Sequence, residues 1–325
     1  MGSDIWKSPE ESAGNMRVID AIQQSIEHAK RTCFPFSAEL WLPIGFIAFL
    51  DITLTGANQA SFSNFSYTAQ SGQNYSSFQS DFQTIILQMR DIFPMVLAIG
   101  ALVFLFLLVI RTLLLYIGCR GQLMFIRAVA RNRFGIGENW NATDRQVMSL
   151  FWFYLELMLF SYAFYVVLLV ISLLMIRPQL TSDSPQLWPV VATLFPMMLL
   201  GGAAAFVFAI ITTLTRSFVA PIMLHADVSC WEAWGIFRDA ARQNWLNVIG
   251  FLILRWLFAI ALGIASLLVG CVTCCIGYLP VIHHAIFAPY YVLDRSFSLF
   301  LLTHCGPSYF AFDTGPPPIR KEHVL

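Results

Sequence analysis

The stretch PIMLHADVSCWEAWGIFRDAARQNWLNVIGFLILRWL, residues 221–257, decides the fold class. Ser229 and Glu232 stand three residues apart, which is the spacing of a capping box, where both side chains bond the free N–H groups of a helix start. After Asn247 the chain is almost wholly apolar, and Arg255 interrupts the apolar run. The pattern therefore predicts an amphipathic helix followed directly by a membrane span that carries one charge.

An aromatic stripe favours a position in the membrane interface for this amphipathic helix. Its predicted anchors share one face or flank it, and they are Trp231, Trp234, Arg238, Arg242 and Trp245. A helix of this kind places its aromatic side chains in lipid and extends its arginine side chains to the phosphate groups.

Composition extends this conclusion to the whole chain. Of the 325 residues, 58% are hydrophobic and only 12% are charged. Soluble domains carry roughly 25% charged residues, so a multipass membrane protein is predicted.

The fold class predicted from these patterns is an all-α integral membrane protein with about six transmembrane helices. The spans form three hairpins, each preceded by an amphipathic interfacial helix, and they lie at about 40–56, 92–118, 147–176, 190–214, 248–269 and 274–293. The three hairpin units cover about 16–118, 122–214 and 221–303, so an internal triplication is a hypothesis from pattern. One membrane domain, 16–312, is expected to follow a disordered start at 1–15, to include an outer loop at 57–91, and to precede a Pro-rich tail at 313–325.

Two further segments are predicted to be amphipathic interfacial helices, namely 122–133 and 295–303. Pro280 and Pro289 are expected to bend the sixth span.

The basic residues predict that both termini lie in the cytoplasm. Of the 19 Lys and Arg residues, this orientation leaves only Arg90 and Arg177 outside. Arg111 and Arg255 fall within spans, and the other basic residues, Arg216 and Arg295 included, are assigned to the cytoplasmic side. Such a bias is the usual determinant of orientation.

Charged residues within the spans are the first candidates for a functional site, because each costs on the order of 3 kcal/mol at the bilayer centre unless paired or hydrated. Glu156 and Arg255 lie at matching depths from the inner side, so they are predicted to form a salt bridge or share a polar pocket. This pair is interpreted as structural, as a substrate or proton site, or as two residues out of contact. Asp51 and Arg111 complete the set at unequal depths, with Arg111 expected to extend to the inner headgroups.

Cysteines and histidines near the end of the chain resemble a metal-ligand spacing. Cys271, Cys274 and Cys275 are followed by His283 and His284. The cysteines lie at an apolar hairpin turn, however, and adjacent histidines point about 100° apart on a helix. Small-residue packing, a disulfide on the outer side and a metal site remain as alternatives, and no metal or cofactor is assigned.

Several short motifs lie along the chain, namely Arg120-Gly121-Gln122-Leu123-Met124-Phe125, Ser149-Leu150-Phe151, Ala220-Pro221-Ile222-Met223, Glu232-Ala233-Trp234, Pro280, Ala288-Pro289, Asp294-Arg295-Ser296 and Gly306-Pro307. In these motifs the chain resembles a group of uncharacterised prokaryotic six-span membrane proteins, similar in style to the YciC-like proteins and to the membrane domain that accompanies some glycerophosphodiester phosphodiesterases. The resemblance implies a six-span fold in a prokaryotic cell (inner) membrane. It brings no catalytic residues, because the phosphodiesterase domain has no counterpart in this sequence.

The motifs of common enzyme classes are missing, among them a nucleophile elbow, a P-loop, a zinc-protease helix and a dinucleotide-binding loop. The arginines follow the membrane surface and form no run typical of nucleic-acid binding. The expected function is therefore a non-enzymatic scaffold, assembly or accessory subunit of a membrane complex, in contact with lipid and with a protein partner or second copy. The alternative is a transporter or lipid-handling protein with a polar site at Glu156 and Arg255.

Overall fold

The computed structural model describes residues 18–55, 75–141, 144–180, 187–273, 277 and 279–303, and it is helical throughout this part of the chain. In chain order the helices are α1 Val18–Cys33, α2 Ala38–Phe49, α3 Tyr75–Arg131, α4 Ile136–Asn141, α5 Asp144–Leu180, α6 Leu187–Leu214, α7 Ala220–Ala226, α8 Cys230–Gln243, α9 Trp245–Val272, α10 Pro280–Ile286 and α11 Ala288–Thr303. Two π-helical turns are inserted: π1, Leu50–Leu54, continues α2, and π2, Thr215–Val219, joins α6 to α7. The predicted termini 1–15 and 313–325 lie outside the described residues.

Within the described residues, four helical stretches are long and apolar enough to cross a membrane. They are Ala98–Arg131, Gln146–Pro178, Trp188–Ala226 and Trp245–Val272. Together they indicate a membrane protein with several spans, as the composition predicts.

The predicted first and sixth spans correspond to shorter helical segments. The first consists of α2 and π1, with 12 and 5 residues, which reach about 25 Å at 1.5 Å per residue. The sixth consists of α10 and α11, which are separated at Phe287, two residues before Pro289. The bend expected at Pro289 stays a prediction, and the bend expected at Pro280 is wrong, because Pro280 begins α10.

The chain divides into two compact units, each built from segments that are separated in sequence. The first unit contains Met1–Ala57, Leu115–Phe153 and Thr213–Leu325, and the second contains Asn58–Leu114 and Tyr154–Thr212. Each is described by itself below.

In the first unit the first two described helices pack against the last two, α1 against α11 and α2 against α10. Gly45 marks the crossing of α2 and α10, since a Cβ atom there would lie 2.6 Å from the backbone of Ala285. A second close approach brings α3 onto π1, where a Cβ on Gly121 would lie 2.4 Å from that of Leu50. Glycine at both positions allows the helix backbones to meet, as small residues do between membrane helices.

The second unit is apolar and has few side-chain bonds among its described residues. Tyr165 donates a hydrogen bond to the carbonyl of Gly201 at 3.1 Å, which ties α5 to α6. Phe160 and Phe208 meet edge to face at 6.1 Å. Large apolar side chains remain exposed, for example Phe160 at 66% and Phe195 at 56%, as expected for helices that face lipid or another protein.

Three sequence predictions are corrected by this fold. The outer loop predicted at 57–91 is helical from Tyr75 onward. Segment 122–133 is not a separate interfacial helix, because it mostly continues α3 and its apolar side chains are buried in protein. Segment 295–303 belongs to α11 and is buried almost entirely in protein, with Arg295, Ser296 and Ser298 buried along with its apolar side chains.

The predicted amphipathic helix α8 is present with its capping box. Ser229 Oγ accepts from the Glu232 amide at 3.3 Å, and Glu232 Oε2 accepts from the Ser229 amide at 2.9 Å. The Ser229 amide and hydroxyl both donate to Glu232 Oε2, at 2.9 Å and 2.8 Å, and these two bonds lower the pKa of Glu232 because they favour its ionised form. Of the aromatic stripe, Phe237 is buried in a stack on Phe218, with ring centroids 5.1 Å apart.

Candidate functional site

A buried network of charged side chains lies in the first unit and is the most distinctive polar feature of the described residues. It consists of Asp51, Arg216, Arg255, Asp294 and Arg295, and it is called the charge network below. Its members come from π1, π2, α9 and α11, which are distant in sequence.

Asp51 is the centre of the charge network. The residue is 0% exposed on π1, where the close approach of Gly118 and Gly121 covers the turn. Arg216 Nε lies 3.2 Å from both carboxylate oxygens of Asp51, and Arg216 Nη2 lies 2.8 Å from Oδ2. Arg295 Nη2 donates to the same Oδ2 at 2.5 Å. One carboxylate therefore binds two guanidinium groups.

Both residues of the Asp51–Arg216 pair lie in π-helical turns, Asp51 in π1 and Arg216 in π2. Such turns are rare, and they often occur at functional sites because they locally alter the side-chain register. Arg295 also bonds the backbone of π2, where its Nη1 donates to the Arg216 carbonyl at 2.7 Å. Its guanidinium lies 5.6 Å from the ring centroid of Phe125, within cation–π range. Arg295 thus connects α11 to both π turns and to α3.

Asp294 and Arg255 extend the charge network to α9. Asp294 Oδ2 lies 3.2 Å from Arg255 Nη2 and 3.5 Å from Arg216 Nη1. Arg255 Nη1 donates to Ser217 Oγ at 2.5 Å, so α9 is also bonded to π2. The second oxygen of Asp294, Oδ1, has no hydrogen-bond partner among the described residues.

Three guanidinium groups face two carboxylates, which leaves one formal positive charge in a buried site. Removing one partner of a buried ion pair typically costs 3–5 kcal/mol, because the other charge remains desolvated. The arrangement holds four helical segments in fixed register, and its surplus charge suits an anion better than a cation.

Comparison with protein families gives one match. Residues 16–311 match the model described as a family of unknown function, DUF7544. The chain belongs to this family. Comparison with curated proteins and with solved structures gives no match. Family membership therefore brings no known activity to the charge network.

Two members of the charge network in this DUF7544 protein, Asp51 and Arg255, are among the candidates predicted from sequence. The partners that the structure shows for these two residues differ from those proposed from sequence. Glu156 is exposed and belongs to the second unit, and Arg111, half-buried, belongs there too. The Glu156–Arg255 pair stays a prediction, since the contacts seen for Arg255 are with Asp294 and Ser217.

The other three members, Arg216, Asp294 and Arg295, were not predicted as site residues. Arg216 and Arg295 were assigned to the cytoplasmic side, which stays a prediction, but their burial, at 4% and 2% exposed, was not foreseen. A signal was present in the adjacent opposite charges of Asp294-Arg295, which follow an apolar segment and precede another. A charge pair flanked by apolar residues on both sides indicates burial more than a loop.

The interfacial anchors keep part of their predicted character. Trp231 and Trp245 are exposed, as are Arg238 and Arg242, whereas Trp234 is half-buried. Trp231 and Trp234 also pack around Phe153, with ring centroids 5.3 Å and 6.1 Å away. The predicted lipid-facing stripe is thus divided between protein packing and the surface.

The cysteine and histidine candidates are only partly described. Cys271 is free and exposed, while Cys274 and Cys275 lie outside the described residues. His284 is buried and stacks on Tyr291 at 5.1 Å, and the adjacent His283 is half-buried. Among the residues that the structure describes, no cluster of three potential metal ligands occurs.

Proposed function

We propose that this protein is a non-enzymatic integral membrane protein that acts as a scaffold, assembly or accessory subunit of a membrane complex. The observation that carries the proposal is the charge network, whose guanidinium groups are all engaged with the carboxylates of Asp51 and Asp294. Charges arranged in this way fix helix positions and leave little freedom for chemistry. A rigid helical core with apolar outer faces suits a protein that binds other membrane proteins.

The proposed arrangement in the membrane keeps six spans in three hairpins, with interfacial helices before the first and third hairpins, and places both termini in the cytoplasm. The α2–π1 and α10–α11 segments supply the first and sixth spans. These short segments pack against each other, and α11 also packs against α1, so neighbouring helices cover them. The exposed Arg131, Arg133, Arg238 and Arg242 still favour this orientation after Arg216 and Arg295 are removed from the count. A prokaryotic inner membrane and kinship with the YciC-like proteins belong to the same proposal.

The partner we propose is a transmembrane helix, and its site is the small-residue run Gly201-Gly202-Ala203-Ala204-Ala205 on α6. One side of this run already packs on α5, where a Cβ on Gly201 would lie 3.4 Å from Leu168. The other side is open, since a Cβ on Gly202 would meet nothing within 4 Å, and Ala203 and Ala205 are exposed. Small-residue faces of this kind let a second helix approach closely.

Affinity purification of the tagged chain in native lipid, followed by mass spectrometry, tests the proposal. We expect a membrane protein in stoichiometric amount, which is lost in Gly202→Leu because the larger side chain blocks helix approach. Gly263→Leu is the matched control, since Gly263 is also exposed on a predicted span with open space around it. Recovery of only monomer and lipid from the unmodified chain would count against the scaffold function.

A second candidate is a transporter or lipid-handling protein that uses a polar site around Glu156, Arg255 and Asp51. It is favoured by one observation, the surplus positive charge of the network beside the unpaired Asp294 Oδ1. Labelling of Ser217→Cys with a water-soluble thiol reagent separates the two candidates. The scaffold proposal expects no labelling in the folded protein, because Ser217 is 1% exposed, whereas a water-filled pathway gives rapid labelling.

A further inference from the structure

A cavity of about 280 Å³ lies in the first unit, apart from the charge network. Its lining comes from α3, the start of α5 and α7. The polar residues that line it are Arg127, Arg131, Gln146 and His225, and the apolar ones include Ile126 and Leu224. A cavity with basic groups on one part of its wall and apolar groups on another suits an amphipathic ligand.

The cavity is placed at the level of the lipid headgroups by the ends of three membrane-crossing helices. Arg131 is the last residue of one apolar stretch, Gln146 is the first of the next, and Ala226 ends the third. All three ends are on the side that carries Arg131, Arg133, Arg238 and Arg242, the predicted cytoplasmic side. The cavity therefore opens where anionic headgroups of that leaflet are found.

The charge around the cavity is predominantly positive. Arg127 and Arg131 are four residues apart on α3, so their like charges lie on the same helix face. Asp227, a nearby acid, accepts a hydrogen bond from Gln146 Nε2, which joins the start of α5 to the end of α7. Glu138 interacts with Arg127 electrostatically and lies 4.0 Å from Arg133. A bound anion would relieve the repulsion between the two cavity arginines.

We propose that this cavity binds the phosphate headgroup of an anionic glycerophospholipid. Arg127 and Arg131 bind the phosphate, Gln146 and His225 offer further hydrogen-bond donors, and Ile126 and Leu224 contact the start of the acyl chains. A lipid fits better than a free phosphate ion, since an ion would leave the apolar part of the wall in contact with water. This site is independent of the partner site proposed on α6.

Native mass spectrometry of the full chain in detergent micelles tests the proposal, with phosphatidylglycerol as the probe. Phosphatidylcholine of the same acyl chains and inorganic phosphate are the comparison ligands. We expect phosphatidylglycerol to bind more tightly than phosphatidylcholine, and inorganic phosphate to compete only weakly. Each arginine near a membrane surface contributes roughly a fivefold factor in affinity for anionic lipid. We therefore expect a loss of about fivefold in Arg131→Gln and about 25-fold in Arg127→Gln/Arg131→Gln.

The matched control is Lys30→Gln/Arg31→Gln, which removes two exposed cations from the end of α1, outside the cavity. Its affinity for phosphatidylglycerol should stay within about twofold of the unmodified chain. Arg131 is exposed, so the single variant is informative even if the double variant fails to fold.

Equal losses in the cavity and control variants would overturn the proposal, as would equal binding of the two lipids. Full displacement of the lipid by inorganic phosphate would assign the cavity to a free anion and overturn it as well.

Discussion

The two compact units of this protein are stabilised by different kinds of contact. The first unit joins five charged side chains in one network, four of them buried and the Arg255 side chain 16% exposed, and closes its helix crossings with glycine at positions 45, 118 and 121. The second unit exposes apolar side chains, and a Cβ atom added at its Gly202 would meet nothing within 4 Å. In lipid, apolar surface alone gives little attraction between helices, so polar contacts and close packing supply it. The first unit is therefore stabilised by contacts among its own helices. The exposed apolar surface of the second unit is available for contact with lipid or with another protein.

The largest expected effect comes from Asp51→Asn, which removes the carboxylate bonded to Arg295 and leaves Arg216 with Asp294, 3.5 Å away, as its carboxylate partner. We expect a loss of about 3–5 kcal/mol in unfolding free energy, because two guanidinium groups lose their shared carboxylate. Thermal unfolding of the purified protein in detergent measures this loss as a lowered Tm.

Glu156→Gln is the corresponding charge removal in the second unit. We expect it to change the unfolding free energy by less than about 1 kcal/mol, since Glu156 is exposed and Arg255 has other partners. A loss as large as that of Asp51→Asn would favour the Glu156–Arg255 pair predicted from sequence and would weaken the contrast between the units.

Replacement of glycine by alanine gives the next largest effect and compares how tightly helices pack in the two units. Gly45→Ala brings a Cβ to 2.6 Å from the backbone of Ala285, so the helices must separate. We expect destabilisation of roughly 1–3 kcal/mol. The same change at Gly202 meets open space and should stabilise its helix by up to about 1 kcal/mol, because alanine favours helices more than glycine does.

Urea or thermal unfolding of the two glycine variants provides the measurement. Equal effects at Gly45 and Gly202 would show that the two units are packed to a similar density. Gly263→Ala, at a second open position, checks the size of the gain in helix propensity.

A smaller effect is expected at the surface of the first unit, where Ser229 caps α8. Ser229→Ala removes a hydroxyl that accepts from the Glu232 amide, and we expect a loss of about 1 kcal/mol. Circular dichroism during thermal unfolding measures it, and Ser229→Asp, which restores an acceptor, should recover most of the loss.

The cap also predicts a pH dependence. Hydrogen bonds from Ser229 lower the pKa of Glu232 in the folded protein below its ordinary value of 4.5. The hydrogen bonds to the Glu232 carboxylate therefore contribute fully to the unfolding free energy above pH 4.5. Their contribution is lost as the pH falls through the lower pKa that Glu232 has in the folded protein. Unfolding midpoints between pH 6 and pH 3 should decline less in Glu232→Gln than in the unmodified chain, and identical declines would contradict the cap's contribution.

Much of the fold was predictable because helix formation and membrane insertion depend on local patterns. The capping box at Ser229, the amphipathic α8 and the long apolar helices all follow from residue spacing. Segments 122–133 and 295–303 were predicted wrongly, because an apolar face indicates burial without telling lipid from protein.

The charge network was predictable only in part. Asp51 and Arg255 were conspicuous as charges within apolar runs, but their partners depend on tertiary contacts between residues up to 244 positions apart. The π turns that present Asp51 and Arg216 have no sequence signature, so matching residues by depth along straight helices selected Glu156 instead.

A double-mutant cycle between Asp51→Asn and Arg295→Met tests the central claim most directly. These two residues are joined by a hydrogen bond of 2.5 Å between Arg295 Nη2 and Asp51 Oδ2. Unfolding free energies of the unmodified chain, both single variants and the double variant give their coupling. We predict a coupling of about 2 kcal/mol, with the double variant more stable than the sum of the single losses implies. Additive losses, within about 0.5 kcal/mol, would contradict the claim that the charge network holds the first unit together.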